Sequence, residues 1–215
     1  MKLKAGIIVF LGTNCDRDAK SALDSLGFKT EFIFHTEKNL KKYDLIVLPG
    51  GFSFGDYIRA GRLAKLSPAV LAIKDLKNKG FKGFILGICN GFQILTESGL
   101  LPGALIENKD TKFISQDEPL IFNGDEISLP IAHKEGCFWA DSDTVKQIEE
   151  KNMAFLRYKN NPNGSINNIA GLYDRENKIM GLMPHPERAV MKECAPNGSL
   201  DGVKVFNFIK EEILK

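Results

Sequence analysis

From the N-terminus, the chain alternates between short, wholly apolar runs and segments whose apolar residues recur every three or four positions. Ala5–Leu11 is a continuous apolar run, as expected of a strand covered on both faces. Asp16–Leu26 places Ala19, Ala22, Leu23 and Leu26 at helical spacing, and Gly27 ends it. Lys29–His35, with Phe32, Ile33 and Phe34, predicts a second strand, and Asp44–Leu48 a third, closed by Pro49-Gly50-Gly51. Ser67–Lys79 predicts a helix with Pro68 at its start and Gly80 just past its end. Gly83–Ile88 predicts a fourth strand that runs straight into Cys89 and a helix to about Ser98. This alternation implies an α/β fold, a mostly parallel central sheet with helices on both faces.

The pattern changes between Lys109 and Trp139. Short segments (Lys112–Ile114, Leu120–Phe122, Ile127–Ile131) are interrupted by Pro119, Asn123-Gly124 and Pro130, which predicts a small antiparallel addition. Beyond it, Asp143–Lys151 is helical, Phe155–Tyr158 strand-like and Asn160–Asn163 a turn. Ile179–Met183 is a strand ending at Pro184, and Asp201–Leu214 is an amphipathic helix. With no repeat and no linker, residues 1–215 are expected to form one domain.

Composition narrows the function classes. Lys and Arg total 29 against 27 for Asp and Glu, a near balance that argues against a nucleic-acid binder working through a dense basic face. Lys2 and Lys4 before the first apolar run and Cys15 after it superficially suggest a lipoprotein signal. The run is at the short limit for one, and Gly12-Thr13-Asn14 offers no small-residue cleavage site. It is also far shorter than the roughly 18–20 residues of a membrane span. Cys15, Cys89, Cys137 and Cys194 show no C-x-x-C spacing, so neither zinc nor a disulfide framework is expected, and the reducing cytoplasm is the expected compartment.

Three segments could carry chemistry. Gly87-Ile88-Cys89-Asn90-Gly91 sets a cysteine between a strand and a helix, where small neighbours permit a sharp turn and the helix N-terminus favours thiolate. The other three cysteines lack that context and are expected in core or surface roles. Pro184-His185-Pro186-Glu187 follows a strand and offers an imidazole with a carboxylate to orient it, completing a Cys-His-Glu arrangement. Pro49–Asp56 is rich in glycine but lacks a G-x-x-x-x-G-K-[ST] or G-x-G-x-x-G pattern, so it suits an oxyanion hole better than a phosphate loop. One donor would come from the N–H of Gly51 or Phe52 and the other from Asn90. His35 and His133 show no metal-ligand spacing, and Asn163-Gly164-Ser165 and Asn197-Gly198-Ser199 are expected to be turns rather than glycosylation sites.

Gly87–Gln93 together with Pro184–Glu187 resembles the class I (triad) glutamine amidotransferases. Gly12–Asp16, Pro49–Gly61, Arg157–Ser165 and Met183–Ala189 are similar to the members of that family that serve de novo purine biosynthesis. The resemblance implies a flavodoxin-like sheet and attack by Cys89 on the γ-carboxamide of glutamine. It implies proton transfer by His185, orientation of the ring by Glu187, and contacts to glutamine from Gly50, Gln93 and His133. It also implies no metal or cofactor in this chain, and a partner synthetase subunit that uses ATP and Mg to turn formylglycinamide ribonucleotide into the amidine. A small bridging subunit is expected as well, with low activity of the chain alone; no nucleic-acid or membrane partner is implied. A glutaminase for pyridoxal phosphate or histidine synthesis is the nearest alternative. Stand-alone elbow-cysteine hydrolases usually take their histidine directly after the cysteine, where this chain has Asn90, and a dead scaffold would lack a triad member.

Overall fold

The computed structural model describes residues 2–193, 195 and 198–215, so Cys194 and Asn197 lie outside the described residues. Four parallel strands follow the predicted pattern: β1 (Lys4–Val9), β2 (Lys29–Phe34), β3 (Leu45–Leu48) and β4 (Phe84–Ile88). β3 and β4 are buried along their whole length, which is why they read as uninterrupted apolar runs. The connecting helices are α1 (Asp16–Ser25), α2 (Pro68–Asn78) and α3 (Asn90–Glu97). α2 begins where Ser67 Oγ accepts the N–H of Val70, with Pro68 in the first turn.

The order β2-β1-β3-β4 runs outward from β1 in both directions. Right-handed crossovers therefore place α1 on one face and α2 and α3 on the other, and the strand order reverses between β1 and β3. Two side-chain links agree with that division. Lys74 Nζ on α2 donates to Ser98 O at the end of α3 (2.6 Å), and Lys210 Nζ on the C-terminal helix donates to Leu26 O after α1 (3.0 Å).

The antiparallel part is larger than the sequence pattern suggests. The remaining strands are β5 (Ala104–Ile106), β6 (Ile114–Phe122), β7 (Asp125–His133), β8 (Cys137–Trp139), β9 (Leu156–Tyr158), β10 (Ile169–Asp174) and β11 (Ile179–Leu182). β11 joins β4 in parallel, and β10, β9, β6 and β7 then extend the same sheet antiparallel, to nine strands. Among the described residues, only β5 and β8 form a separate two-stranded sheet. Pro119 and Pro130, which looked like strand breaks, lie inside β6 and β7. β7 is the sheet edge, where a missing N–H leaves no ladder bond unmade, and Pro119 stands just beyond the stretch of β6 that β9 covers. β10 was not legible because Asn167-Asn168 and Gly171 give it the look of a turn. α4 (Ser142–Glu150), capped by Asp141, and α5 (Gly202–Leu214) match the predicted helices.

α3 is almost entirely interior, with Asn90–Thr96 buried. Its first turn presses against the end of β3: a Cβ on Gly91 would come to 1.9 Å from Leu48 O. No rotamer change relieves a clash with backbone, so Gly91→Ala is expected to destabilise the fold by about 1–3 kcal/mol, read as a lower urea midpoint with an unchanged m-value.

Candidate active site

The carboxyl ends of β1, β3, β4 and β11 converge at the reversal of strand order, the position where open α/β sheets bind their ligands. Cys89 ends β4 with φ 49° and ψ −105°, a backbone region that non-glycine residues rarely occupy. It is held there by its own N–H to Leu182 O (2.8 Å) and by Phe92 N–H to Cys89 O (2.9 Å). This is the sharp turn expected from the small flanking residues. Cys89 lines a cavity of about 300 Å³ that also takes in His185, His133, Gly51 and Arg188. That volume is at the lower end of the roughly 300–1,000 Å³ typical of small-molecule sites. A larger hollow of about 790 Å³ beside the end of α3 contains none of these residues.

His185 enters from the turn after β11, nearly a hundred residues beyond Cys89 in sequence. Its N–H donates to Pro130 O on the free edge of β7 (2.8 Å), and the same edge brings Ala132 O to 3.7 Å from Cys89 Sγ. The antiparallel half of the sheet thus curls back to wall the site. His185 Nδ1 and Glu187 Oε1 are 2.7 Å apart, with both residues 2% exposed or less. A carboxylate accepts only, so Nδ1 carries the hydrogen and Nε2 is left for proton exchange; Nε2 is buried without a hydrogen-bond partner among the described residues. Burial works against charging the ring, but the Glu187 carboxylate, with Cys89 and Cys15 nearby, outweighs it and holds its pKa well above the ordinary value.

His133 has the opposite character. Asn108 Nδ2 donates to the carbonyls of His133 (2.9 Å) and Lys112 (2.8 Å), so Asn108 Oδ1 faces the His133 ring and accepts from Nδ1 (3.1 Å). Its Nε2 is then a bare acceptor, buried and without a partner among the described residues. Burial, reinforced by His185, pulls its pKa down to about 4.

Several expected contacts are placed differently. The N–H of Phe52 donates to Gly12 O (3.0 Å) and is not available as an oxyanion donor. Those of Gly51 and Asn90 have no partner among the described residues. Gly51 adopts φ 143°, and a Cβ there would lie 2.8 Å from Asn14 N, so this position requires glycine. Gly50 does not reach the cavity wall; it packs behind it, against the His185 ring and Cys15. Gln93 lines the cavity, with Oε1 accepting from Asn90 Nδ2 (2.9 Å) and Nε2 donating to Glu135 O (2.6 Å), which leaves one lone pair and one N–H of the amide for a ligand.

Cys15 is the residue that sequence reasoning passed over. It is buried, as expected of a core cysteine, yet it lines the cavity and Arg188 Nη2 donates to its Sγ (3.1 Å). Its position at the start of α1, in the Gly12-Thr13-Asn14-Cys15-Asp16 segment that follows β1, is the available signal. Asp56 was likewise not singled out; burial and the charge of Glu135 push its pKa up to about 6, against donation from Asn90 and the Gly61 N–H. Asn163 is fully buried and bonds Gly136 O and Ser165, which suits a turn and leaves no room for a glycan. Cys15 Sγ, a His185 ring nitrogen and a Glu187 oxygen lie within 4.8 Å of one another. Glu187 is engaged with Nδ1 and Arg188 places a positive charge on Cys15, an arrangement suited to moving protons rather than to holding a cation.

A cysteine on a strand-to-helix elbow and a histidine bonded to a buried glutamate line one cavity at the carboxyl edge of a flavodoxin-like sheet, as the resemblance to the triad class of glutamine amidotransferases implies. The chain belongs to the CobB/CobQ-like glutamine amidotransferase domain family, whose model matches residues 2–204. It is 48% identical to phosphoribosylformylglycinamidine synthase subunit PurQ of Campylobacter jejuni, over 96% of this chain and 98% of that one. It is 46% identical to the protein of the same name from Prochlorococcus marinus, over 92% and 93% of the two chains. A chain in the structure of PurLQS from Thermotoga maritima superposes with a TM-score of 0.89 at 40% identity, covering both chains completely.

The histidine pair yields a pH prediction. The folded pKa of His185 lies above the unfolded value near 6.5, so its pairing with Glu187 stabilises the fold fully below pH 6.5 and progressively less as pH rises through the folded value. The stability difference between the wild type and Glu187→Gln should therefore be largest near pH 6 and shrink toward pH 9, measured by urea unfolding across that range.

Proposed function

We propose that this chain is the glutaminase subunit of phosphoribosylformylglycinamidine synthase. It hydrolyses glutamine to glutamate and ammonia and passes the ammonia to a synthetase subunit that makes formylglycinamidine ribonucleotide with ATP. The observation that carries the catalytic part is the 2.7 Å contact between His185 and Glu187 in the cavity that Cys89 lines. The relatives named above support the pathway, at 46–48% identity over nearly the whole chain.

The residues divide the work as follows. Cys89, as thiolate, attacks the γ-carboxamide carbon. The tetrahedral oxyanion is held by the N–H groups of Gly51 and Asn90, donors aimed at the charge as it develops. His185, kept protonated by Glu187, gives its proton to the departing amine, and ammonia leaves. The neutral ring then takes a proton from water, which cleaves the thioester. His133, neutral with a bare Nε2, accepts from an N–H of the bound glutamine and so favours an amide over an acid at that end.

Ammonia released into water becomes ammonium and ceases to be a nucleophile, so a glutaminase of this kind needs an acceptor site docked against it. The PurLQS structure supports a synthetase partner and a small third subunit. ATP and Mg belong to the synthetase, and this chain works in the cytoplasm without a cofactor of its own. Among the described residues no helix is long and apolar enough to cross a membrane.

Reconstitution tests the reading. The Cys89→Ala chain, mixed with its synthetase, should lose glutamine-dependent amidine formation by at least about 10⁴-fold while amidine formation from added ammonium salts persists. Retention of glutamine-dependent turnover would remove Cys89 from its role, and activity only with a synthetase of another pathway would reassign the product.

A further inference from the structure

We propose that the side chain of Asn90, apart from its backbone N–H, is the positioning residue that assembles the oxyanion pocket. The inference rests on the glutaminase reading above. The two donors of that pocket belong to different segments: Asn90 N–H opens α3, whereas Gly51 N–H lies on the loop that follows β3. Their spacing is set by whatever ties the loop to the elbow.

Among the described residues, the hydrogen bonds between loop residues 50–58 and the elbow run through the Asn90 amide. Its Oδ1 accepts from Ser53 N–H (3.2 Å), two residues past Gly51. Its Nδ2 donates to Asp56 Oδ1 on the same loop (3.1 Å) and to Gln93 Oε1 one turn along α3 (2.9 Å). Only one orientation of the amide satisfies all three, because Ser53 offers a donor and Asp56 an acceptor. The circuit continues: Gln93 Nε2 donates to Glu135 O (2.6 Å), and Glu135 Oε2 accepts from Ala60 N–H (3.3 Å), which returns to the loop. Asn90 is 2% exposed, so water does not compete for these bonds.

The loop needs such a tie. Phe54, Gly55, Asp56 and Ile58 all have positive φ, at 54°, 75°, 52° and 74°, a run that persists only when its surroundings over-determine it. At one side it is anchored by Phe54 against His35 and Phe10 and by backbone bonds to Leu11 and Gly12. Those contacts fix the loop to the segment after β1, and the β3–β4 ladder up to Leu48 and Gly87 fixes where it starts; beyond Gly51, its hold on the elbow is the Asn90 amide. A side chain that held only the fold together would not need to join these two particular segments.

The test separates oxyanion stabilisation from damage to the nucleophile, using the full chain assayed with its synthetase. Asn90→Ala retains the backbone donor and removes the tie. It should lower kcat for glutamine hydrolysis by about 10²-fold, the scale of one lost oxyanion donor, with KM within about threefold. Alkylation of Cys89 by iodoacetamide is a displacement with no tetrahedral oxyanion, and its rate should stay within about twofold of wild type. A kcat within about threefold of wild type, or an alkylation rate that falls in step with kcat, overturns the proposal. Asp56 gives a second measurement, decisive if Asn90→Ala does not fold. Asp56→Ala should lose at least about tenfold in kcat, and Asp56→Asn, which still offers an acceptor oxygen, should recover most of that loss. Equal losses in the two variants overturn it as well. Failure of the glutaminase reading would look different, since the wild-type chain with its synthetase would then show no glutamine hydrolysis, or turnover would survive Cys89→Ala.

Discussion

At Cys89 the chain must pass from β4 into α3 within one residue, and the backbone accepts a left-handed φ to do it. Such a conformation costs on the order of 1–3 kcal/mol and survives only where neighbours leave no alternative. Here the neighbours are β11, whose Leu182 carbonyl takes the Cys89 N–H, and β3, whose end lies so close to Gly91 that no side chain fits. The same turn that lifts the sulfur above the sheet edge also points the first free N–H of α3 toward it. The position of the sulfur and the start of α3 are consequences of a single constraint.

The two halves of the sheet contribute differently to the site. The parallel half supplies the strand ends that carry Cys15, Gly51 and Cys89, set by the reversal of strand order between β1 and β3. The antiparallel half supplies a wall. Its strand β7 lies at the sheet edge, and two of its carbonyls meet the cavity: Pro130 O accepts the His185 N–H and Ala132 O lies 3.7 Å from the sulfur. An exposed edge is ordinarily a liability. In this protein part of it is covered by the turn that carries His185, whose N–H takes the Pro130 carbonyl.

Two buried histidines share the cavity in opposite states. His185 has a carboxylate at Nδ1 and is held toward the charged form, while His133 has a neutral amide at Nδ1 and is held neutral. The difference follows from the partner, since both rings are nearly free of water. One ring is thereby suited to give and take protons and the other to recognise a donor on the substrate. An imidazolium at His185 itself disfavours a second positive charge on His133, which sharpens the division.

Local pattern alone was enough to establish the four parallel strands and their helices, because residues covered on both faces must be apolar and residues on one helix face must recur at its period. It also singled out Cys89, His185 and Glu187, of which the structure sets Cys89 and His185 on one cavity and Glu187 against the His185 ring. What it could not contain was adjacency between distant segments. The extent of the antiparallel sheet, the prolines inside its strands, the commitment of the Phe52 N–H to Gly12 O and the arrival of Cys15 beside His185 all depend on contacts across tens to more than a hundred residues. A hydrogen bond already made within the fold removes a group from the chemistry, and only the packed chain shows which bonds those are.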